Sequence, residues 1–162
     1  MSFIETLQQT DLGRTIITFF VSMLPILELR GAIPLGVGMG LGHWQAMFIS
    51  VIGNMVPVPF IIIFIRKIFA WLRSKSPRLE NTVSNLEKKA EGKWDKVRKY
   101  ELLGLTVLVA IPLPGTGAWT GALIAALMNI RMKYAVPCIL LGVIIAGFLM
   151  TGITFGFGAI FS

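Results

Sequence analysis

The chain contains very few of the residues from which catalytic and metal-binding sites are built. Among its 162 residues there is one cysteine, Cys138, one histidine, His43, and only eight Asp and Glu residues. One cysteine cannot form an internal disulfide or a thiolate metal cluster. An enzyme in the membrane would need a nucleophile–base pair, a carboxylate pair or a metal cluster. The composition therefore argues against an enzyme and predicts neither a metal ion nor a cofactor.

Charge is also scarce over most of the chain. Charged residues make up 14% of it and hydrophobic residues 55%, and the mean hydropathy is +0.77. A soluble domain of this size is less apolar. Three long runs carry no Asp, Glu, Lys or Arg, namely residues 31–65, 102–130 and 134–162. Because about 20 apolar residues cross a bilayer core, the sequence predicts a polytopic membrane protein.

The net charge of +7 comes from one segment. Between Arg66 and Lys99 there are eleven Lys and Arg residues and four acidic residues, whereas the rest of the chain has four of each. Basic residues concentrate in loops on the cytoplasmic side of membranes. This distribution argues against nucleic-acid binding. It predicts a multi-pass protein of the cell inner (plasma) membrane with a cytoplasmic connector over residues 69–100.

The first half, residues 14–68, consists of a short apolar arm, a break and a long apolar run. The arm Thr15–Leu24 would be a helix about 15 Å long, half of the roughly 30 Å hydrocarbon core. Pro25 and Pro34 interrupt the segment that follows, since proline removes a helical N–H and crowds the preceding turn. We therefore predict a re-entrant hairpin that turns near mid-membrane around Glu28–Arg30. A spanning helix over Trp44–Ile65 follows it.

The second half, residues 101–162, repeats this plan. Its parts are an arm, a break, a return arm and a spanning helix, at Leu102–Ile111, Pro112 to Gly117 with Pro114 inside, Ala118–Asn129 and Tyr134–Phe161. With a cytoplasmic connector, the two hairpins open to opposite sides of the membrane. The predicted fold is one all-α membrane domain, residues 1–162, built from two inverted repeats. The rival topology, with each broken segment as two full crossings, would leave every arm near ten residues and too short.

The connector has a periodicity of its own. From Leu79 to Val97 apolar residues recur every three or four positions, and lysines occupy the other face. This spacing predicts a basic amphipathic helix. The helix either lies on the anionic cytoplasmic membrane surface or packs on its neighbours.

The first break contains the embedded charges, Glu28 and Arg30. Ionisable groups at membrane depth cost several kcal/mol unless they are paired or hydrated, which makes them candidates for function. Since they are two residues apart, their side chains would point to different faces of a helix, whereas in an extended break they would project to the same side. One hypothesis is that Glu28 gains and loses a proton while Arg30 binds an anionic group. The alternative is a closed ion pair between the two that only stabilises the tip of the hairpin.

The second break, Pro112 to Gly117, carries no charge but offers free backbone groups. If a helix restarts near Ala118, the N–H groups from Gly115 through Thr116 and Gly117 form an anion site at its positive end. Aligning Gly31-Ala32 with Gly117-Ala118, 86 positions later, places the two breaks opposite each other. Broken segments at matching positions in two halves indicate a transport site on an internal repeat. Two hairpins and two spanning helices make a thin enclosure, so we expect a homodimer or a higher oligomer.

Two motifs carry a resemblance to a known family. ELRGAIPLG, which starts at Glu28, and PLPGTGAWTGALIA, which starts at Pro112, resemble the motif pair of the small multidrug export family of prokaryotic membrane proteins. The plan is more distantly similar to the DedA superfamily, with its paired re-entrant hairpins. The resemblance to these families implies that Glu28 and Arg30 match the charged residues of their first motif. DedA members usually carry an arginine in the second motif, and this chain has none there.

Two functions are consistent with these features. The first is a transporter, coupled to protons, that moves a small amphipathic or anionic substrate through a midplane site between the two hairpins. The second is a lipid-phosphate translocase, a flippase or scramblase of the DedA type. Both act within the lipid bilayer, and neither binds nucleic acid.

Overall fold

A computed structural model describes residues 9–78, 80–82, 84–85 and 94–161 of the chain. These ranges are helical apart from short connections. The helices with defined bounds are α1 (Asp11–Ser22), α2 (Glu28–Gly38), α3 (His43–Met55), α4 (Pro57–Lys75), α5 (Trp94–Ala110), α6 (Ala118–Leu127) and α7 (Met132–Phe161). The all-α fold class is confirmed.

The helices follow the same order in each half, a helical hairpin and then a long helical segment. In the first half α1 packs on α2 and on α3, and in the second half α5 packs on α6 and on α7. The halves are held together by α2 against α7, by α4 against α6, and by α3 against α7. The return arm of each hairpin therefore packs on the long segment of the other half.

Both return arms end in the same backbone motif. At the end of α2, Gly40 has a φ of 99°, and the N–H of Leu41 donates to the Gly36 carbonyl at 3.0 Å. At the end of α6, Asn129 has a φ of 53°, and the N–H of Ile130 donates to the Ala125 carbonyl at 2.9 Å. A left-handed residue followed by this hydrogen bond is a Schellman motif, and it satisfies carbonyls that a helix end leaves free.

Two buried glycines, 89 positions apart, let each long segment approach the first arm of its own half. A Cβ on Gly53 of α3 would come within 2.6 Å of the Phe19 carbonyl oxygen in α1. A Cβ on Gly142 of α7 would come within 2.7 Å of the Thr106 carbonyl oxygen in α5. Real Cβ atoms do not approach backbone this closely. Each half thus has one close glycine contact between its long segment and its first arm.

These matches give a structural register between the halves. The return arms and long segments correspond at a spacing of 89 residues, as Gly40 with Asn129 and Gly53 with Gly142 show. The first arms correspond at 87, because Phe19 takes the place of Thr106. The second break, residues 111–117, is two residues longer than the first, residues 23–27. This difference in length accounts for the change in spacing from 87 to 89 residues. The 86-position alignment predicted from the sequence is therefore short by three residues in the return arms.

The two long segments carry the apolar surface that a bilayer requires. Residues His43–Lys75 and Met132–Ile160 are long and apolar enough to cross a membrane. Many of their large side chains point outward; among them are Phe48, Phe60, Phe64, Phe148 and Phe155, which are all more than half exposed. Soluble monomers rarely expose apolar surface on this scale. The chain is a membrane protein.

Several predicted boundaries differ from the helices. The spanning helix expected over Trp44–Ile65 is interrupted at Val56, because Pro57 and Pro59 lack the N–H groups that would continue it, and it then runs to Lys75. The arm expected to begin at Leu102 begins at Trp94.

The connector over residues 69–100 is accordingly occupied at both ends by α4 and α5. Leu79, Val83, Leu86 and Ala90 of its apolar stripe lie outside the described residues, so the amphipathic helix there stays a prediction.

Candidate functional site

The second break separates α5 from α6 through prolines and glycines. Pro112 and Pro114 cannot donate a backbone hydrogen bond, and Gly115 has a φ of 84°, a conformation that favours glycine. The Thr116 hydroxyl closes the turn with hydrogen bonds of 2.8 Å to the carbonyls of Ile111 and Leu113. The break therefore lies where the sequence predicts it, and the new helix starts at Ala118.

The first break is shorter than predicted. Pro25 lies in the turn between Met23 and Leu27, and α2 starts directly at Glu28. Glu28 has a φ of 46°, which is uncommon for a residue with a side chain and is found where surrounding structure imposes it.

The structure therefore decides between the two geometries of the charged pair and shows that the break expected at Pro34 is wrong. Glu28 and Arg30 lie in the first turn of a helix rather than in extended chain. Pro34 lies inside α2 rather than at a break. Its ring costs the helix one hydrogen bond, the one to the Arg30 carbonyl, and the packing of the neighbouring Ile33, which is 0% exposed, holds the helix together.

The Glu28 carboxylate caps the helix of the other half. It accepts a hydrogen bond of 3.1 Å from the backbone N–H of Trp119, in the first turn of α6, and its side chain is almost fully buried. The N-cap residue of α6, Gly117, supplies no capping side chain of its own. A carboxylate is stabilised there by free N–H groups and by the positive end of the helix dipole. The start of α6 thus binds the Glu28 carboxylate through the N–H of Trp119, and an anion site at the N–H groups of Gly115 to Gly117 stays a prediction.

The Arg30 guanidinium binds the opposite end of the same break. It donates to the carbonyls of Leu113 and Ile111, the latter at 2.6 Å, and to the Thr116 hydroxyl at 3.1 Å. These carbonyls follow the C-terminal end of α5, where partial negative charge favours a cation. A planar guanidinium can donate to several acceptors at once, which a lysine cannot do with the same geometry.

The two charged residues therefore do not form the closed ion pair of the alternative hypothesis. Both are described by the structure, and no Glu28–Arg30 contact lies within 4.0 Å. Each is paired instead with one end of the interrupted helix α5–α6, the anion with the N–H groups and the cation with the carbonyls. The structure thus brings together Glu28, Arg30, Thr116 and Gly117, whereas Gly115 shapes the turn.

Trp119 completes a reciprocal exchange that the sequence reasoning missed. Its indole N–H donates at 3.0 Å to the carbonyl of Met23, the residue that caps the end of α1. Trp119 corresponds to Arg30 in the structural register of 89 residues. Each of these two residues thus extends from a return arm to the carbonyl end of the other half's first arm. A polar N–H on an aromatic residue inside an apolar run is the signal that could have indicated it.

Asn54 is a polar residue for which the sequence alone leaves two roles open, hydrogen bonding across helices or lining the transport path. It lines a narrow crevice together with Glu28, Arg30, Gly117 and Val143, and the crevice is too tight for a water molecule. Its side chain is 1% exposed. A polar residue inside a long apolar run was the available signal.

Comparison with known proteins identifies the family. A family model described as "Putative small multi-drug export protein" matches residues 28–149, which include both motifs and the second break. The chain belongs to this family. No curated protein and no solved structure matches the chain. The family predicted from the two motifs is confirmed, and the more distant DedA resemblance stays a prediction.

Proposed function

We propose that this small multidrug export protein is a proton-coupled transporter that carries a small amphipathic or anionic substrate between its two broken segments. The observation that carries the proposal is the placement of Glu28 and Arg30 at opposite ends of the second break. Glu28 is an ionisable acid that accepts a hydrogen bond from the N-terminus of α6 inside the membrane. Proton binding to Glu28 therefore frees this N-terminus for an anion. The family description, which names export, supports a transporter rather than an enzyme.

The architecture we propose is an inverted repeat of re-entrant hairpins. With 12, 11 and 10 residues, α1, α2 and α6 are about 15–18 Å long, too short for a core of roughly 30 Å. The apolar part of α5 begins only after Glu101. The matched Schellman motifs, the matched glycine contacts and the exchange between Arg30 and Trp119 support two equivalent halves.

The positions of the hairpin ends support opposite orientations. The end of α2 leads directly into the start of α3, where the side chain of Arg14 lies beside Gly40. At the other hairpin, Arg66 of α4 donates to the carbonyl of Ile130, just past the end of α6. Because α3 and α4 cross the membrane between these points, the hairpins open to opposite sides. The basic charge of the connector supports the cytoplasmic side of the inner membrane for the second opening.

The site can couple a proton to an anion through one shared set of donors. When Glu28 is charged, its carboxylate occupies the N-terminus of α6. When Glu28 is protonated, its hold on these N–H groups weakens, because charge-assisted hydrogen bonds are about twice as strong as neutral ones. An anionic substrate group can then take its place, and it can also use the buried Nε of Arg30, which has no partner. Anion binding and protonation of Glu28 thus favour each other.

A lipid-phosphate translocase is the second candidate, and one observation favours it. The side chains beside the breaks face outward: Ile26 is 89% exposed and Leu113 57%. A substrate whose acyl chains stay in the bilayer could place its phosphate at Arg30 and the start of α6 from this side. The same donors would serve both functions, so the substrate decides between them.

We also propose that two copies associate in the membrane. Gly152 and Gly156, four residues apart on α7, have no atom within 4 Å of a Cβ placed on them. Small residues at this spacing permit close approach of a second helix. A single chain offers few helices to enclose a path.

The substrate class can be tested with purified protein in liposomes. One arm measures efflux of an anionic amphipathic dye driven by a pH gradient, and the other measures transbilayer movement of a fluorescent lipid phosphate. We expect Arg30→Ala to reduce the transported substrate's flux at least tenfold, because the guanidinium donors are lost. Arg78→Ala, an exposed arginine of the connector, is the matched control and should leave flux unchanged. Equal flux for both variants in both arms would contradict the proposed site.

A further inference from the structure

Helix α3 carries two fully buried polar side chains whose polar atoms have no partner. Ser50 is 0% exposed and Asn54 is 1% exposed, and neither the Ser50 hydroxyl nor either polar atom of the Asn54 amide forms a hydrogen bond. Leaving such a group unpaired costs about 1–3 kcal/mol. In folded proteins, buried polar groups of this kind have a protein or water partner in nearly every case. Two unpaired residues one helical turn apart therefore require an explanation.

Two more fully buried polar residues lie on α1, the helix that packs on α3. Thr18 and Ser22 are 0% exposed, and their hydroxyls bond only to carbonyls of their own helix, Arg14 at 2.8 Å and Phe19 at 2.6 Å. We call Thr18, Ser22, Ser50 and Asn54 the polar track.

The polar track leads from the candidate site to one end of the first hairpin. At its inner end, Asn54 lines the crevice that contains Glu28. Ser22 lies against Gly53, next to Asn54, and Thr18 lies against Gly36, near the end of α2. Arg14, one turn beyond Thr18, lies beside Gly40 at the open end of the hairpin.

The second half has no counterpart of the track. The structural register places apolar residues at the four corresponding positions, namely Leu105, Val109, Ile139 and Val143, and all of them are at most 3% exposed. The two halves share their backbone packing, so the fold itself does not require polar side chains there. The four polar side chains of the first half are thus not required by the backbone packing that the two halves share.

We propose that the polar track is the route by which water and protons reach Glu28 from the side of the membrane where α1 begins and α2 ends. Polar side chains at membrane depth that lack protein partners line aqueous paths. In the conformation described here the crevice is closed, so the track fills when α1 and α3 separate slightly. Arg30 is the other ionisable residue that lines the crevice, and Arg14 lies at the outer end. The proton role of Glu28 rests on the proposed function; the hydration of the track does not.

Thiol labelling tests the route directly. In a Cys138→Ala background, single cysteines replace Ser50 and Asn54. As controls they replace Ile139 and Leu105, buried counterparts of track residues in the second half that do not line the crevice. Protein in sealed vesicles of known orientation is treated with a small charged methanethiosulfonate that does not cross membranes. We expect Ser50→Cys and Asn54→Cys to react at least tenfold faster than the controls, and only from the side opposite the connector. Equal rates for the two sets, or reaction from the connector side, would overturn the proposal.

A second variant tests the track without a label. Asn54→Val introduces the residue found at the corresponding position of the second half. Because it removes an unpaired amide, we expect a melting temperature equal to or above that of the unaltered protein, together with at least a tenfold loss of flux driven by a pH gradient. Unchanged flux would count against the route. Labelling does not depend on transport, so a Glu28→Gln variant with normal flux would remove the proposed function and leave the labelling result standing.

Discussion

Replacing Gly117 with alanine will expel the Glu28 carboxylate from the N-terminus of α6 and destabilise the protein by about 2–4 kcal/mol. A Cβ at this position would overlap one carboxylate oxygen of Glu28 and come within 2.6 Å of its Cδ. The carboxylate would lose its hydrogen bond to Trp119 and stay buried without a partner, and such charged hydrogen bonds contribute about 1.5–3 kcal/mol each. Thermal unfolding in detergent measures the loss.

A double-mutant cycle shows whether the effect comes from the carboxylate. In a Glu28→Ala background the space beside Gly117 is free, so Gly117→Ala should cost less than about 1 kcal/mol. Gly104→Ala is the matched control, because a Cβ there meets no atom within 4 Å. If Gly117→Ala costs the same with and without Glu28, the carboxylate does not occupy the position described.

Alanine at either of the paired glycines, Gly53 or Gly142, will separate a long segment from the first arm of its own half. The new Cβ would meet the backbone carbonyls of Phe19 and Thr106 at 2.6 and 2.7 Å, and backbone cannot move aside as a flexible side chain can. Overpacking of this kind typically costs about 1–3 kcal/mol, and we expect values at the upper end. The melting temperatures of both variants, compared with Gly104→Ala, provide the measurement.

The equivalence of the two halves predicts more than a loss of stability. Gly53→Ala and Gly142→Ala should have costs within about 1 kcal/mol of each other, since both disturb the same contact in a repeated frame. A large cost at one glycine and none at the other would show that the matched geometry does not reflect matched packing.

The pairing of charges with helix ends explains how the protein holds two ionisable groups at this depth. A closed ion pair would satisfy Glu28 and Arg30 but leave the ends of the interrupted helix without partners. In the observed arrangement each charge satisfies one end of that helix, and the interrupted helix satisfies each charge. A ligand that competes for either end would therefore affect both breaks, which is why we propose the junction between the halves as the substrate site.

The sequence predicts the large features of this fold because they depend on composition. The charge-free runs identified the two long segments, and Pro112, Pro114 and the glycines around Thr116 located the second break. Local sequence could not reveal that the first break is confined to five residues. Proline was expected to interrupt the helix at Pro34, yet tertiary packing around Ile33 holds α2 together. The partners of Glu28 and Arg30 depend on contacts over 80 residues away in sequence, which no local pattern contains.

The alignment of one half with the other was the second feature that the sequence alone did not predict correctly. The alignment by glycine-alanine pairs assumed equal breaks, whereas the second break has two more residues than the first. Only the positions of Gly40, Asn129, Gly53 and Gly142 in space reveal the shift. The corrected register shows that Asn54 corresponds to Val143. The proposal of a proton route in the first half alone is based on this difference.

Efflux from proteoliposomes driven by a pH gradient, measured for Glu28→Gln, tests the central claim most directly. Glutamine keeps the size of the side chain and an oxygen that can accept the Trp119 N–H, but it cannot gain or lose a proton. We predict efflux below about one tenth of the unaltered protein's, while the melting temperature changes little and Glu80→Gln, an exposed acid of the connector, has no effect. Efflux by Glu28→Gln equal to that of the unaltered protein, with the same response to the pH gradient, would contradict the account.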